Sequence, residues 1–181
     1  MLKKILCLFI IAISASLIAG IYGILHDQIS YTVSPEYYTK FKFIQFNLAN
    51  ENNIEKIKNP RILVSIVGFL ATWWFGLILG FILGLTTLRQ KNCKNRYLIS
   101  LKSILFVLII TLITGIIGLL FGYLYLGNLP KIEFTNWFIP NNVINFRNFV
   151  AVGSLHNFSY IGGILGLILA MILNLKNQNK L

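Results

Sequence analysis

Acidic residues are scarce in this chain: five among 181, against sixteen Lys and Arg, and charged residues make up only 12%. Four stretches, Ile5–Leu25, Ile62–Leu88, Ser103–Leu126 and Val150–Leu175, hold no Asp, Glu, Lys or Arg at all. The ionisable pairs, charged pore rings and discontinuous repeats that mark carriers and channels are therefore missing. So are a Gly-rich phosphate loop, a Ser–His–Asp set, a cysteine cluster, a low-complexity tract and an internal repeat. Only two cysteines occur, Cys7 in the first apolar stretch and Cys93 between the second and third. On the orientation given below neither meets an oxidising compartment, so no structural disulfide is expected.

What remains is apolar. Hydrophobic residues make up 56% of the chain and the mean hydropathy is +0.74, which excludes an ordinary water-soluble domain. At a rise of ~1.5 Å per residue, each charge-free stretch is long enough to cross a hydrocarbon core of ~30 Å. The expectation is a single all-α membrane domain over residues 1–181, an integral bundle of four transmembrane helices (spans 5–25, 62–88, 103–126 and 150–175). Segments 26–61, 89–102 and 127–149 connect them, too short for a second, soluble domain.

A net charge of +11 would suggest nucleic acid in a soluble protein. Here it follows from membrane orientation instead, and no nucleic-acid partner is expected. Lys3, Lys4, the Arg89–Lys102 loop and the Lys176–Lys180 tail are basic and free of acids, whereas all five acids lie in 26–61 and 127–149. Dense Lys and Arg stay in the cytoplasm. Both termini and loop 89–102 are thus expected inside the cytoplasmic membrane, with loops 26–61 and 127–149 outside. The partner this requires is the lipid bilayer. The Arg89, Lys91, Lys94, Arg96 cluster reads as a topology signal, with anionic-lipid contact the alternative. Lys3-Lys4 with Ser14-Ala15-Ser16 also matches a cleavable secretory signal. The apolar run continues to Leu25, however, and reads as an uncleaved anchor.

The outer loop after span one is aromatic. Ser34-Pro35-Glu36 is a helix start: a cap, a proline at the first position and an acid at the positive end. Tyr37, Phe41, Ile44 and Leu48 then form one stripe, predicting an amphipathic interfacial helix over 35–48. Residues 50–60 read as a polar linker. Within the spans, small residues recur at packing intervals: Gly76, Gly80 and Gly84; Thr111, Gly115, Gly118 and Gly122; Gly162, Gly166 and Ala170. Such stripes let helices approach closely, within one chain or in self-association, the former being the commoner case. Trp73 and Trp74 fall mid-span rather than at an interface, so a buried packing role is expected for them, with indole partners such as Thr72 or Ser65.

Chemistry has one candidate location. His26 closes span one and His156 opens span four, so topology brings the only two histidines to the same outer face. Asp27 and Glu36 are close to the first, and Asn157, Ser159 and Tyr160 follow the second. The plainest reading is a hydrogen-bonded polar network that pins the helix ends. A metal held by His26, His156 and a carboxylate has the right ligand types but no local spacing signature. Haem between the two histidines and His–Glu acid–base chemistry are further alternatives.

Four blocks, His26-Asp27-Gln28, Ser34 to Phe43 (SPEYYTKFKF), Ala71-Thr72-Trp73-Trp74 and His156 to Gly163 (HNFSYIGG), together resemble a group of uncharacterised bacterial multi-pass membrane proteins. The resemblance spans essentially the whole chain and implies no activity, cofactor or site residue. The functional expectation is accordingly a structural or accessory protein that carries no cofactor, is not an enzyme and presents its outer aromatic surface to another membrane protein. The runner-up is a small metal- or haem-dependent membrane enzyme centred on His26 and His156.

Overall fold

The computed structural model describes residues 2–50 and 57–178. Within these, four long helices carry the fold: α1 (Leu2–Val33), α4 (Pro60–Thr86), α5 (Cys93–Leu124) and α6 (Phe146–Gln178). Three short pieces lie between α1 and α4: α2 (Pro35–Tyr37), a π-turn at Tyr38–Lys42 and α3 (Phe43–Gln45). No strand occurs among the described residues. The linker expected over 50–60 falls largely on residues 51–56, outside those described.

Burial is inverted relative to a water-soluble bundle. On α1 the exposed side chains are Ile13, Leu17, Ile21 and Leu25, while Ala12, Ala15, Ser16, Gly20, Gly23 and Asp27 face inward. Water would not tolerate so long an apolar stripe, but hydrocarbon does, and small or polar groups then form the helix contacts. All four long helices are long and apolar enough to cross a membrane. The protein is a multi-pass membrane bundle.

The helices exceed their apolar runs, because polar residues at the ends find partners inside the bundle. Gln28 continues α1 by donating to the Arg61 carbonyl (2.8 Å) and the Ser65 hydroxyl (2.9 Å) of α4. Pro60 starts α4 at a position where its missing N–H costs nothing. Asn92 caps α5 by accepting from the Asn95 amide at 2.8 Å.

Helices α1 and α4 pack as one close pair, α5 and α6 as another. In the first, Gly23 and Gly68 face each other so closely that a Cβ on either would lie within 2.3 Å of the other's carbonyl oxygen. Gly76 and Gly80 sit against Ala15, Ala19 and Ala12, and Gly84 against Leu8. In the second pair, Gly115, Gly118 and Gly122 meet Ser159, Phe158 and Ala151. Gly162 and Gly166 lie against Thr114, Thr111 and Val107. The glycine contacts are thus within this chain. Trp73 and Trp74 are not buried: they are 38% and 47% exposed on the lipid side of α4. The inward face there is taken by Gly68, Thr72 and Gly76, since only small residues fit against α1.

A second correction concerns the cysteines. Cys7 and Cys93 are joined as a disulfide, with Cα atoms 5.8 Å apart. Helix α5 begins at Cys93, ten residues before its apolar run, and α1 and α5 start at the same end of the bundle. The residue expected in a free loop therefore lands beside the first turns of α1.

The helical stretch after α1 is shorter and less regular than the stripe predicted. Ser34 caps it, accepting from the Tyr37 amide at 3.3 Å. Tyr37 and Tyr38 are buried at its start; the π-turn then rotates the residues after it, so Phe43 is buried while Phe41, Ile44 and Leu48 are only half-buried. It plugs the bundle end, packing on Val64, Val67, Phe149 and Val152.

Candidate functional site

At that plugged end, opposite the basic one, α1, α6 and the cap converge on a polar cluster. His26 and Asp27 lie on the inner face of α1, one turn below Ser30; His156 and Ser159 lie on α6; Tyr37 and Tyr38 come from the cap. His26 Nδ1 bonds Asp27 Oδ1 at 3.1 Å and its Nε2 bonds Ser159 Oγ at 3.2 Å. Ser30 donates to the Asp27 carbonyl at 3.2 Å and shares a short hydrogen bond with the Tyr38 hydroxyl. The two imidazole centroids are 5.0 Å apart, and the Tyr37 ring stacks on His156 at 5.2 Å and 16°.

Not every polar atom is satisfied. His156 is only 8% exposed, yet its Nε2 has no hydrogen-bond partner among the described residues. The Tyr22 hydroxyl is in the same condition. A buried orphan of this kind costs about 1–3 kcal/mol and calls for a reason. One donor atom each from His26, Asp27 and His156 lie within 4.8 Å of one another. Asp27 is 4% exposed, so this is a buried carboxylate beside two imidazoles and not a solvated acidic patch.

Two cavities meet at this point. The inner one, about 70 Å³, lies between the helix pairs and is mostly apolar, with Tyr22, His26, Asp27, Thr72, Thr111 and Ser159 among its lining residues. The outer one, about 230 Å³, lies under the cap and is bordered by Tyr37, Phe41, Lys42, Trp137 and Asn157. His156 and Tyr160 line both, so the orphaned imidazole stands on the partition between an apolar interior and the cap.

The candidates from sequence separate cleanly. His26, Asp27 and His156 come together, with Tyr160 at the cavity wall. Asn157 is exposed on the outer cavity and is not a donor to the cluster. Glu36 is elsewhere: its carboxylate accepts from the Ile144 amide (3.0 Å) and the Asn145 amide (2.7 Å) and pairs with Lys40. It therefore clasps the cap to the entry of α6. Ser30, Tyr37, Tyr38 and Lys42 were not singled out for the site. Ser30 could have been, since it lies one turn beyond His26 and Asp27 on the same α1 face. Lys42 is buried, with its ammonium on Gln45 (2.9 Å) and over the Phe41 ring (4.9 Å). Burial lowers its pKa, opposed by attraction to Asp27. Burial likewise raises the Tyr37 and Tyr38 phenols, with Asp27 adding to the effect.

The Glu36 clasp has a pH signature. Partial burial pushes its carboxyl up, but the Ile144 amide, Lys40 and the Asn145 amide outweigh that and hold it below the usual range. A lowered folded-state value means stability present above the ordinary carboxylate range and lost as pH falls through the lowered one. Hydrogen-exchange protection factors over 35–45 should fall on acidification through that window. In Glu36→Gln they should be low at neutral pH and nearly flat. Wild-type protection in that variant at pH 7 would show that the clasp does not hold the cap.

No protein-family model, curated protein or solved structure matches this chain. The site stands on its own geometry.

Proposed function

We propose that this protein is a metal-binding membrane protein in which His26, Asp27 and His156 hold a divalent transition ion beneath the aromatic cap. The observation that carries the reading is a buried His156, its Nε2 unpartnered, in a cluster with the paired His26 and Asp27 whose donor atoms lie within 4.8 Å of one another. Two imidazoles and a carboxylate are a ligand set used for zinc and its neighbours, with a fourth position left for water or substrate. Donors around such an ion at ~2.1 Å stand roughly 3.4 Å apart, so donors now within 4.8 Å of one another close the set by moving together by at most about 1.4 Å. Ser159 on His26 Nε2 supplies an outer hydrogen bond of the kind that orients a metal ligand, and the Ser30–Tyr38 pair ties the cap to the backbone of Asp27. The partition between the cavities would place the open position where a small molecule could reach the ion from the cap. Haem does not fit, because a cavity of about 70 Å³ and imidazoles 5.0 Å apart leave no slot for a macrocycle.

The charge distribution supports the cytoplasmic membrane as the location, with the basic end and both termini inside. The metal site would then face outward.

A second reading keeps the cluster as a structural network and makes the protein an accessory subunit. It is favoured by Ile132, Phe138 and Ile144, large apolar side chains strongly exposed on the loops of the capped end. Metal analysis of purified protein separates the two. About one ion per chain, retained through gel filtration, supports the metal reading. Metal-free protein that fails to take up Zn²⁺, Co²⁺ or Ni²⁺ and elutes with a second membrane subunit supports the accessory one.

A further inference from the structure

The other end of the bundle carries a second chemical feature, independent of the metal site. The Cys7–Cys93 disulfide joins α1 to α5 and so crosses the seam between the two helix pairs. Its two cysteines belong to very different surroundings. Cys7 is 1% exposed among the helices, whereas Cys93 is exposed as the first residue of α5. Lys91 and Lys94 flank Cys93, and the sequence has no acid between Glu55 and Glu133. A helix N-terminus and neighbouring cations both favour thiolate over thiol, the setting of reactive cysteines and not of inert ones.

The bundle does not depend on this bond alone. Near it the pairs are also joined by Tyr97, whose hydroxyl donates to Ser14 at 3.4 Å. Asn174 adds a second tie, donating to Thr86 (2.9 Å) and accepting from Ser103 (2.9 Å). Arg96, buried beside the turn, holds the Leu88 and Gln90 carbonyls and fixes the α4–α5 connection. Opening the disulfide would free the start of α5 from α1 without undoing either pair.

We propose that Cys7–Cys93 is a redox-active pair that exchanges electrons with a dithiol partner, Cys93 being the sulfur that is attacked. A partner thiolate bonds to Cys93 Sγ and the Cys7–Cys93 bond breaks, Cys7 leaving as thiolate and taking a proton. The partner's second thiolate then attacks the partner sulfur of this mixed disulfide, and Cys93 leaves as thiolate and takes the second proton. One protein disulfide is reduced and one dithiol oxidised, with two electrons and two protons transferred. Access decides the first step, since only Cys93 faces outward; the positive field at Cys93 speeds its departure in the second. The orientation proposed above puts this end in the compartment rich in thiol reductants. The exchange chemistry itself is independent of that orientation and of the metal site.

The test uses the full chain in detergent micelles. Under non-denaturing conditions, millimolar dithiothreitol should free both thiols, read as two maleimide–polyethylene glycol additions after acid quenching and denaturation. Diamide should then restore the bond. With the partner half removed, Cys93 in Cys7→Ser should form a mixed disulfide with oxidised glutathione at least about tenfold faster than Cys7 in Cys93→Ser. A bond that resists dithiothreitol until the protein is denatured overturns the proposal, as do thiols that diamide never joins or a rate order that is equal or reversed. The wild-type titration needs no substitution, so it decides even if a serine variant fails to fold.

Discussion

If the proposed metal site is present, His156→Ala should weaken divalent-metal binding by at least about a hundredfold while leaving the bundle folded. The size follows from what is removed. Loss of a mere outer-shell partner typically costs 10–100-fold in metal affinity, and His156 is proposed as a direct donor. Its ring is buried in the donor cluster with His26 and Asp27, and its Nε2 has no protein partner. His26→Ala should cost a similar factor and also release Asp27 and Ser159 from their bonds to the ring. Asn157→Ala, next in sequence but exposed on the outer cavity, should change affinity by less than about twofold, because it reaches no donor of the set. Isothermal titration with Zn²⁺, alongside circular dichroism, checks all three. If His156→Ala destabilises the helices but binds metal as wild type does, the cluster is a structural network.

The second large effect concerns the closest helix contact. Gly68→Ala should cost about 2 kcal/mol or more, and Gly68→Leu should prevent α1 and α4 from pairing at all. A Cβ at Gly68 meets the Gly23 carbonyl oxygen at 2.3 Å and the Ile24 amide nitrogen at 2.9 Å. These are backbone atoms of a helix that cannot step aside locally, so the whole of α1 must shift; overpacking of this kind costs about 1–3 kcal/mol and sometimes more. Gly163→Ala is the control. Its Cβ meets the Phe75 ring at 3.1 Å and makes an ordinary contact with the Thr111 hydroxyl at 3.7 Å, and Phe75 borders the inner cavity into which it can turn. That variant should lose less than about 1 kcal/mol, the upper range for a change the neighbour can accommodate. Equilibrium unfolding in mixed dodecyl maltoside–SDS micelles gives both values. Equal losses for Gly68→Ala and Gly163→Ala would mean that the close backbone approach contributes nothing special. A failed α1–α4 pair would also carry His26 and Asp27 away from His156, coupling packing to the site.

Much of this architecture is legible in the chain because lipid simplifies the reading. Charge-free runs and small-residue stripes mark spans and contact faces directly, and hairpin topology alone brings His26 and His156 to one end. Helix ends are harder. Polar groups such as Gln28 look like loop residues until Arg61 and Ser65 are seen to receive them. The π-turn at Tyr38–Lys42 is likewise invisible to a stripe count, and it decides that Phe43 turns inward. Trp73 and Trp74 mislead for a related reason: mid-span depth suggests burial, but the contact face of α4 admits only small side chains. The Cys7–Cys93 bond spans 86 residues and depends on where α5 begins, which the apolar run does not reveal. At the site, the ligand types were readable whereas the orphaned nitrogen was not, because a missing partner is a property of packing.

X-ray absorption at the metal edge of zinc-loaded protein is the most direct measurement of the proposed centre. It should show two imidazoles and light oxygen ligands in a first shell at ~2.0–2.1 Å, with one imidazole lost in His156→Ala. A first shell without imidazole scattering, or one unchanged by that substitution, would place the metal elsewhere and contradict the site.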